Sequence, residues 1–247
     1  MKFIDLQSEY LFYKEEIDRS VLSVASSGAY LFGDQLSKLE RDFASHIGKH
    51  HAVGVKNCTD AIILVLKQVY GANMPIILPN FGAYPTAVAS RNITDNLYYV
   101  DVDETLTIDV NKLPDIQNGV VIPVHLFGNN CNMEAIMAYA RDNNHIVIED
   151  CAQSTGSGSG KHADFSVFSF YPTKPLACMG DGGMICTDLP TEKLRRLRFY
   201  GQEGRFSLKE VGINSRMDEM QASIINAKLP RYQELNEIRK QICGRYK

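Results

Sequence analysis

Residues 164–183 read DFSVFSFYPTKPLACMGDGG, and the fold is decided here. The run 165–170 carries Val167 and Phe168 and reads as a buried strand that reaches Ser169 near its end. Lys174 follows in a turn region, between Pro172 and Pro175, each of which fixes its own φ. Gly180, Gly182 and Gly183 then allow tight turns and close approach of the backbone to a ligand. A preorganised lysine suits attack on an aldehyde. Its amine must be deprotonated, and desolvation or neighbouring cations lower its pKa. Taken alone, Lys174 reads as a solvated loop lysine.

The strand-then-helix rhythm continues outward in both directions. Leu36, Leu39, Phe43 and Ile47 share one helical face, and Gly48 follows as a stop. A strand is expected at 52–55 and a helix at 59–70, with Ile62, Leu66 and Val69 inward. Further strands are expected at 76–78, 96–102, 120–125, 145–150 and 183–187, and helices at 133–142, 192–200 and 217–245. Such alternation makes a mainly parallel sheet covered on both faces, an α/β fold. Ligands of these sheets sit outside the carboxyl ends of the strands. That rule selects the turns 57–60, 79–86, 125–128, 150–153 and 169–174.

Composition excludes some function classes. The 247 residues carry a net charge of −3, which gives no global basic field for nucleic acid or an anionic membrane. Arg195, Arg196, Arg198 and Arg205 are expected on a solvated helix face, with a local cationic cluster as the alternative. The cysteines 58, 131, 151, 178, 186 and 243 form no C-x-x-C pair, and no histidine lies at metal-ligand spacing, so no metal site is expected. Scattered cysteines fit a reducing cytoplasm. The start, MKFIDL, lacks the apolar core of a signal peptide, and runs such as 61–66 are too short to span a bilayer. A soluble, cytoplasmic chain is expected.

Two more segments carry chemistry. In VGVKNCTDA (53–61) a strand runs into a turn that opens a helix, whose free N–H groups and dipole suit a phosphate. Helix capping by Asn57, Thr59 or Asp60 explains the same residues. In IVIEDCAQSTGS (146–157) Asp150 ends an apolar strand, which places its carboxylate at the sheet edge. There it can hold a protonated ring nitrogen and so maintain an electron sink, or simply cap the next segment. His125, in VIPVHLFG, reads either as a substrate- or cofactor-facing imidazole or as a hydrogen-bonded structural residue. His50 and His51 read as surface residues.

A carboxylate, a serine and a lysine, each just after a strand, with a phosphate-type helix start upstream, form a joint pattern. Its order and spacing resemble the DegT/DnrJ family of pyridoxal phosphate (PLP)-dependent nucleotide-sugar aminotransferases. The resemblance begins at FIDLQSEY and runs through SGAYLFGDQLSKLERDFASHIGKHHAVGVKNCTDA. It continues through VIPVHLFG, VIEDCAQSTGS, FSFYPTKPLACMGDGG and GINSRMDEMQA. It implies a three-layer α/β/α domain of the aspartate aminotransferase-like fold-type I, with a mainly parallel mixed sheet. It also implies that Lys174 binds PLP covalently and that Asp150 pairs with the pyridine nitrogen. Gln153 would lie over the ring or near its phenolic oxygen. Cys58, Thr59 and Ser169 would hold the phosphate, with Asp60 in the same turn. Asn214 would reach the phosphate of a neighbouring subunit, since family members are homodimers with shared sites. Relatives place an aromatic over the ring in a Thr-aromatic-x-Ala-Thr segment. Here the segment is Phe81-Gly82-Ala83-Tyr84-Pro85-Thr86, and the aromatic position aligns with Ala83. Tyr84 is the preferred stacking residue and Phe81 the alternative, unless both belong to the core.

The implied activity is amino transfer from L-glutamate to a nucleotide-linked keto-sugar, in polysaccharide or glycoconjugate biosynthesis. FYPTKPLACMGDGG leans toward relatives acting on dTDP-3-keto-6-deoxyhexoses. Relatives that dehydrate sugars carry histidine where Lys174 stands, which favours transfer. Residues 1–247 are expected to form the PLP-binding large domain, closing on the 217–245 helix without the small C-terminal domain that usually follows. That length motivates a second reading: a truncated homologue that binds PLP without catalysis or serves as a dimer scaffold.

Overall fold

Seven strands form the central sheet: β1 (His51–Val55), β2 (Ile76–Pro79), β3 (Leu97–Val100), β4 (Val120–Val121), β5 (Ile146–Asp150), β6 (Phe165–Ser169) and β7 (Gly183–Thr187). Their order is β1-β7-β6-β5-β4-β2-β3. β7 runs antiparallel to both of its neighbours, and the remaining pairs are parallel. A small hairpin, β8 (Gln202–Gly204) with β9 (Ser207–Leu208), stands apart. The helices are α1 (Leu6–Phe12), α2 (Lys14–Ser27), α3 (Asp34–Ile47), α4 (Cys58–Val69), α5 (Tyr84–Arg91), α6 (Met133–Asp142), α7 (Glu192–Leu197), α8 (Glu219–Lys228) and α9 (Tyr232–Gly244). This computed structural model describes residues 4–71 and 73–246. Met1, Lys2, Phe3, Ala72 and Lys247 of the expected 1–247 domain lie outside the described residues. The mostly parallel mixed sheet flanked by helices is the α/β architecture that the alternation predicts.

Strand side chains alternate between two apolar layers. Val53 and Val55 of β1, Phe165 and Val167 of β6 and Ile185 of β7 pack with Ile62, Val65 and Leu66 of α4. Their sequence neighbours Ala52, Phe168, Met184 and Cys186 pack on the other face, with Leu36, Leu39 and Phe43 of α3. Burial on both faces explains why these strands read as continuous apolar runs. Each large side chain removed from water contributes about 1.5–3 kcal/mol. The ring of Phe43 meets Phe168 and Phe170 edge-on at 5.0 and 5.3 Å. Gly54 lets α3 lie directly on β1, because a Cβ there would stand 2.5 Å from Leu36 Cδ1.

The start of α3 lacks a capping side chain, since its N-cap is Gly33. Glu219, buried at the start of α8, supplies the missing acceptor. Its carboxylate receives the N–H groups of Gly33, Gln35 and Leu36 at 2.9, 2.8 and 3.0 Å. A charged acceptor for three orphan donors, placed at the positive end of a helix dipole, ties α8 to α3. Glu219→Ala is expected to lower unfolding stability by about 3 kcal/mol. Equilibrium urea denaturation checks this, and an unchanged midpoint would contradict it.

Three local departures have physical causes. The expected 217–245 helix is divided into α8 and α9 by a 3-10 turn, Leu229–Arg231. Pro230 has no N–H to give and obstructs the preceding turn. The expected 120–125 strand keeps regular pairing at Val120–Val121 and one further bridge, Val124 to Asp150; Pro123 cannot donate to a ladder. Arg195 and Arg198 do not decorate a solvated face. Both reach Glu40 at 2.7 Å, and Arg198 is buried. Among the described residues no helix is long and apolar enough to cross a membrane.

Candidate active site

Four of the five turns selected by the strand-end rule converge on one cavity of about 370 Å³. Asn57, Cys58 and Thr59 come from the start of α4, and Ala83, Pro85 and Thr86 from the start of α5. Asp150, Ala152 and Gln153 follow β5, while Ser169, Tyr171 and Lys174 follow β6. Val124, Asp181 and Gly182 complete the wall. A larger cavity of about 630 Å³ beside α6 holds His125, Met133 and Arg141, but neither Asp150 nor Lys174.

At the α4 end, Asn57 Oδ1 accepts the Asp60 N–H at 2.8 Å, so Asn57 is the cap. The amides of Cys58 and Thr59 belong to the first turn and have no intrahelical acceptor. Gly183 brings β7 against this turn, since a Cβ there would stand 2.8 Å from Cys58 N. Burial pushes the Cys58 thiol well up; the charge of Asp150 adds to this and Lys174 opposes it. The thiol therefore stays neutral and offers no repulsion to an anion.

Asp150 is buried, with each oxygen held. Oδ1 accepts from Ala152 N at 3.0 Å and Oδ2 from Thr86 Oγ1 at 2.7 Å. Ser169 Oγ accepts from Tyr171 N at 3.3 Å, which leaves its own O–H to donate. The Lys174 backbone N–H donates to Tyr171 O at 2.8 Å, closing a turn. Arg239 holds Pro175 O at 2.8 Å and Lys228 holds Ala177 O at 2.6 Å, so α8 and α9 brace the lysine loop. Among the described residues Lys174 Nζ has no hydrogen-bond or ion-pair partner. Gln153 Oε1 accepts from Phe127 N at 3.0 Å, which orients its amide from the 125–128 turn.

Other expected site residues lie elsewhere. Asp60 is outside the cavity lining, and its N–H serves the helix cap. Tyr84 is 86% exposed and Phe81 48% exposed. Both border an adjoining cavity of about 120 Å³, which shares Ala83, Thr86 and Val124 with the first. Asn214 is exposed and bridges to Phe199, away from the cavity. His125 takes the structural role instead of facing a substrate in the cavity. It is fully buried, its Nδ1 accepts from Cys131 N at 3.0 Å, and its Nε2 lies 2.9 Å from Glu149 Oε2. An accepting Nδ1 leaves the proton on Nε2, which donates to Glu149. His125, Glu149 and Cys151 do bring ligand-type atoms within 4.8 Å of one another. Both nitrogens of His125 are already committed to protein partners.

Thr86, Tyr171 and Asp181 line the cavity without having been singled out as site residues. Thr86 falls inside the selected 79–86 turn, whereas nothing in the sequence marks Asp181 as convergent.

Glu149 accepts four hydrogen bonds, from His125 and from the amides of Gly160, His162 and Ala163. Burial pushes its carboxyl up, but the bonds from His125, Ala163 and Gly160 outweigh it and hold the group below its ordinary value. A depressed folded pKa adds stability above the unfolded value of about 4.3, and this is lost as pH falls through the folded value. Glu149→Gln is therefore expected to be less stable at neutral pH and to lose less stability on acidification. Thermal melts from pH 7 to pH 3 check this; parallel losses in both proteins would contradict it.

Comparison with known proteins bears on the chain as a whole. The model of the DegT/DnrJ/EryC1/StrS aminotransferase family matches residues 12–247. The UDP-N-acetyl-3-dehydro-alpha-D-glucosamine 3-aminotransferase of Acidithiobacillus ferrooxidans is 35% identical, over 98% of this chain and 69% of its own length. The dTDP-3-amino-3,4,6-trideoxy-alpha-D-glucose transaminase of Streptomyces venezuelae is 32% identical, over 99% of this chain and 68% of its own. The crystal structure of a DegT/DnrJ/EryC1/StrS aminotransferase from Brucella abortus superposes with a TM-score of 0.92 at 28% identity. That superposition covers 100% of this chain and 71% of the other. With the family match running from the end of α1 to the end of the chain, and the fold shared throughout, this protein belongs to the DegT/DnrJ/EryC1/StrS aminotransferase family.

Proposed function

We propose that the chain transfers an amino group from L-glutamate to a nucleotide-linked keto-sugar, using PLP held in the 370 Å³ cavity. One observation carries this reading: an unpartnered Lys174 amine shares a cavity with a buried, doubly oriented Asp150 carboxylate. The donor set fits PLP at each end. The first-turn amides of α4, with the hydroxyls of Thr59 and Ser169, suit its phosphate. Asp150 suits its ring nitrogen, and Gln153 suits the ring or its phenolic oxygen. Lys174 suits its aldehyde. Bound PLP supplies an electron sink for the pair released when a Cα–H bond breaks.

The side chains around it have separate tasks. Lys174 Nζ, once free, would take the proton from the amino donor's Cα and then hand it on, acting as base and then acid. Asp150 keeps a proton on the ring nitrogen, so that charge developing in the ring is neutralised. Buried Val124 in the cavity wall would limit water near the reacting carbon.

The acceptor sugar carries its ketone at C3 in this reading, since the relatives are named for 3-amino or 3-dehydro sugars on UDP and dTDP. A dTDP-3-keto-6-deoxyhexose is the specific candidate, which would place the reaction in deoxysugar supply for polysaccharides such as lipopolysaccharide. The protein would work in the cytoplasm as a homodimer, with the exposed Asn214 reaching the neighbouring subunit's phosphate site. Residues 1–247 act as the PLP-binding unit. Incubation with glutamate and a panel of UDP- and dTDP-linked 3-keto and 4-keto sugars tests the proposal. Formation of a 3-amino sugar supports it, and absence of amino transfer to every member sinks it.

A further inference from the structure

We propose that Thr86 is a positioning residue, whose hydroxyl orients the Asp150 carboxylate toward a protonated ring nitrogen. The proposal rests on the PLP reading of the cavity.

Asp150 and Thr86 are both buried, 4% and 6% exposed. Thr86 Oγ1 donates to Oδ2 at 2.7 Å, and Ala152 N donates to Oδ1 at 3.0 Å. One donor comes from α5 and the other from the segment after β5, so two separate elements fix the carboxylate plane. An ionised carboxylate offers about four lone-pair sites. Two are used, and each oxygen keeps one for a ligand N–H. The Thr86 side chain is itself well held. Its residue sits in the first turn of α5, its carbonyl accepts from Ser90 Oγ at 2.9 Å, and its β-branch restricts χ1.

The consequence for the ring nitrogen follows from the same bond. Cys58 from α4, Cys151 after β5, Tyr171 and Lys174 after β6, and Asp181 are the other titratable groups around this carboxylate. Of these, Lys174 is the cation, and in the PLP reading it is assigned to the aldehyde. A carboxylate turned out of line could not hold a proton on a ring nitrogen, so the hydroxyl of Thr86 reaches the reaction through Asp150.

Thr86→Val keeps the shape and the β-branch but removes the donor, while Thr86→Ser keeps the donor. PLP affinity is measured by absorbance titration, and protonation of the bound ring nitrogen by nitrogen NMR of isotope-labelled PLP. Thr86→Val is expected to weaken PLP binding roughly tenfold and to move the ring-nitrogen resonance toward that of the unprotonated ring. Thr86→Ser should stay within about twofold of the unaltered chain in affinity and keep its resonance. An unchanged affinity and resonance in Thr86→Val would overturn the proposal, as would Thr86→Ser behaving like Thr86→Val. If the valine variant does not fold, Thr86→Ala is read by the same two measurements. Failure of the PLP reading looks different: the unaltered chain itself would not bind PLP.

Discussion

Lys174→Ala is expected to abolish the visible absorption band that PLP shows when linked to a lysine amine, and to reduce amino transfer by at least ~10²–10⁴-fold. The loss has two parts. The aldehyde loses its covalent partner, and the cavity loses the group that takes a proton and hands it on. Neither can be replaced by a neighbour, because among the described residues no other amine lines the cavity, and the Cys58 thiol is held neutral by burial. Little stability should be lost, since Lys174 Nζ makes no hydrogen bond or ion pair among the described residues. An alanine variant with the band intact would show that another residue carries the cofactor.

Asp150→Ala is expected to have a comparable effect by a different route. It removes the carboxylate that opposes a positive ring nitrogen inside a buried site, and breaking a buried charge pair costs about 3–5 kcal/mol. Converted to rate, that is roughly 10²–10⁴-fold. The hydroxyl of Thr86 and the amide of Ala152 would also lose their acceptor, at about 1–3 kcal/mol of folding stability for each orphaned group. Asp150→Asn separates the two effects. It retains an oxygen acceptor but not the charge, so it should fold nearly as well and transfer amino groups nearly as poorly as the alanine variant. Steady-state kinetics with urea denaturation of both variants decides the matter. Turnover within tenfold of the unaltered chain would contradict the assignment.

The legible parts of the molecule were those governed by local pattern. The strand 183–187 and the αL stop at Gly48, with φ +83°, follow from apolar runs and glycine chemistry. The strand-end rule picked the turns that hold Asp150, Ser169 and Lys174, because a parallel sheet delivers its carboxyl ends to one edge. Geometry across the sheet was less legible. Nothing local marks Glu219 as the cap of a helix that begins at Asp34. The partnership of His125 with Glu149 joins the turn after Val124 to β5 through a contact that spacing does not reveal. Helix α5 begins Tyr84-Pro85, and a turn-rich stretch with proline hides a helix start, although proline suits the first positions. Tyr84 is the same kind of case: helical geometry points it into solvent, while Ala83 and Thr86 take the cavity wall.

The central claim is that Lys174 is the attachment point of PLP. The most direct measurement is borohydride reduction of the PLP-loaded protein, followed by proteolysis and mass spectrometry of the peptides. The account predicts a single pyridoxyl adduct, on the peptide that contains Lys174. An adduct on any other lysine, or none from protein that has bound PLP, would contradict it.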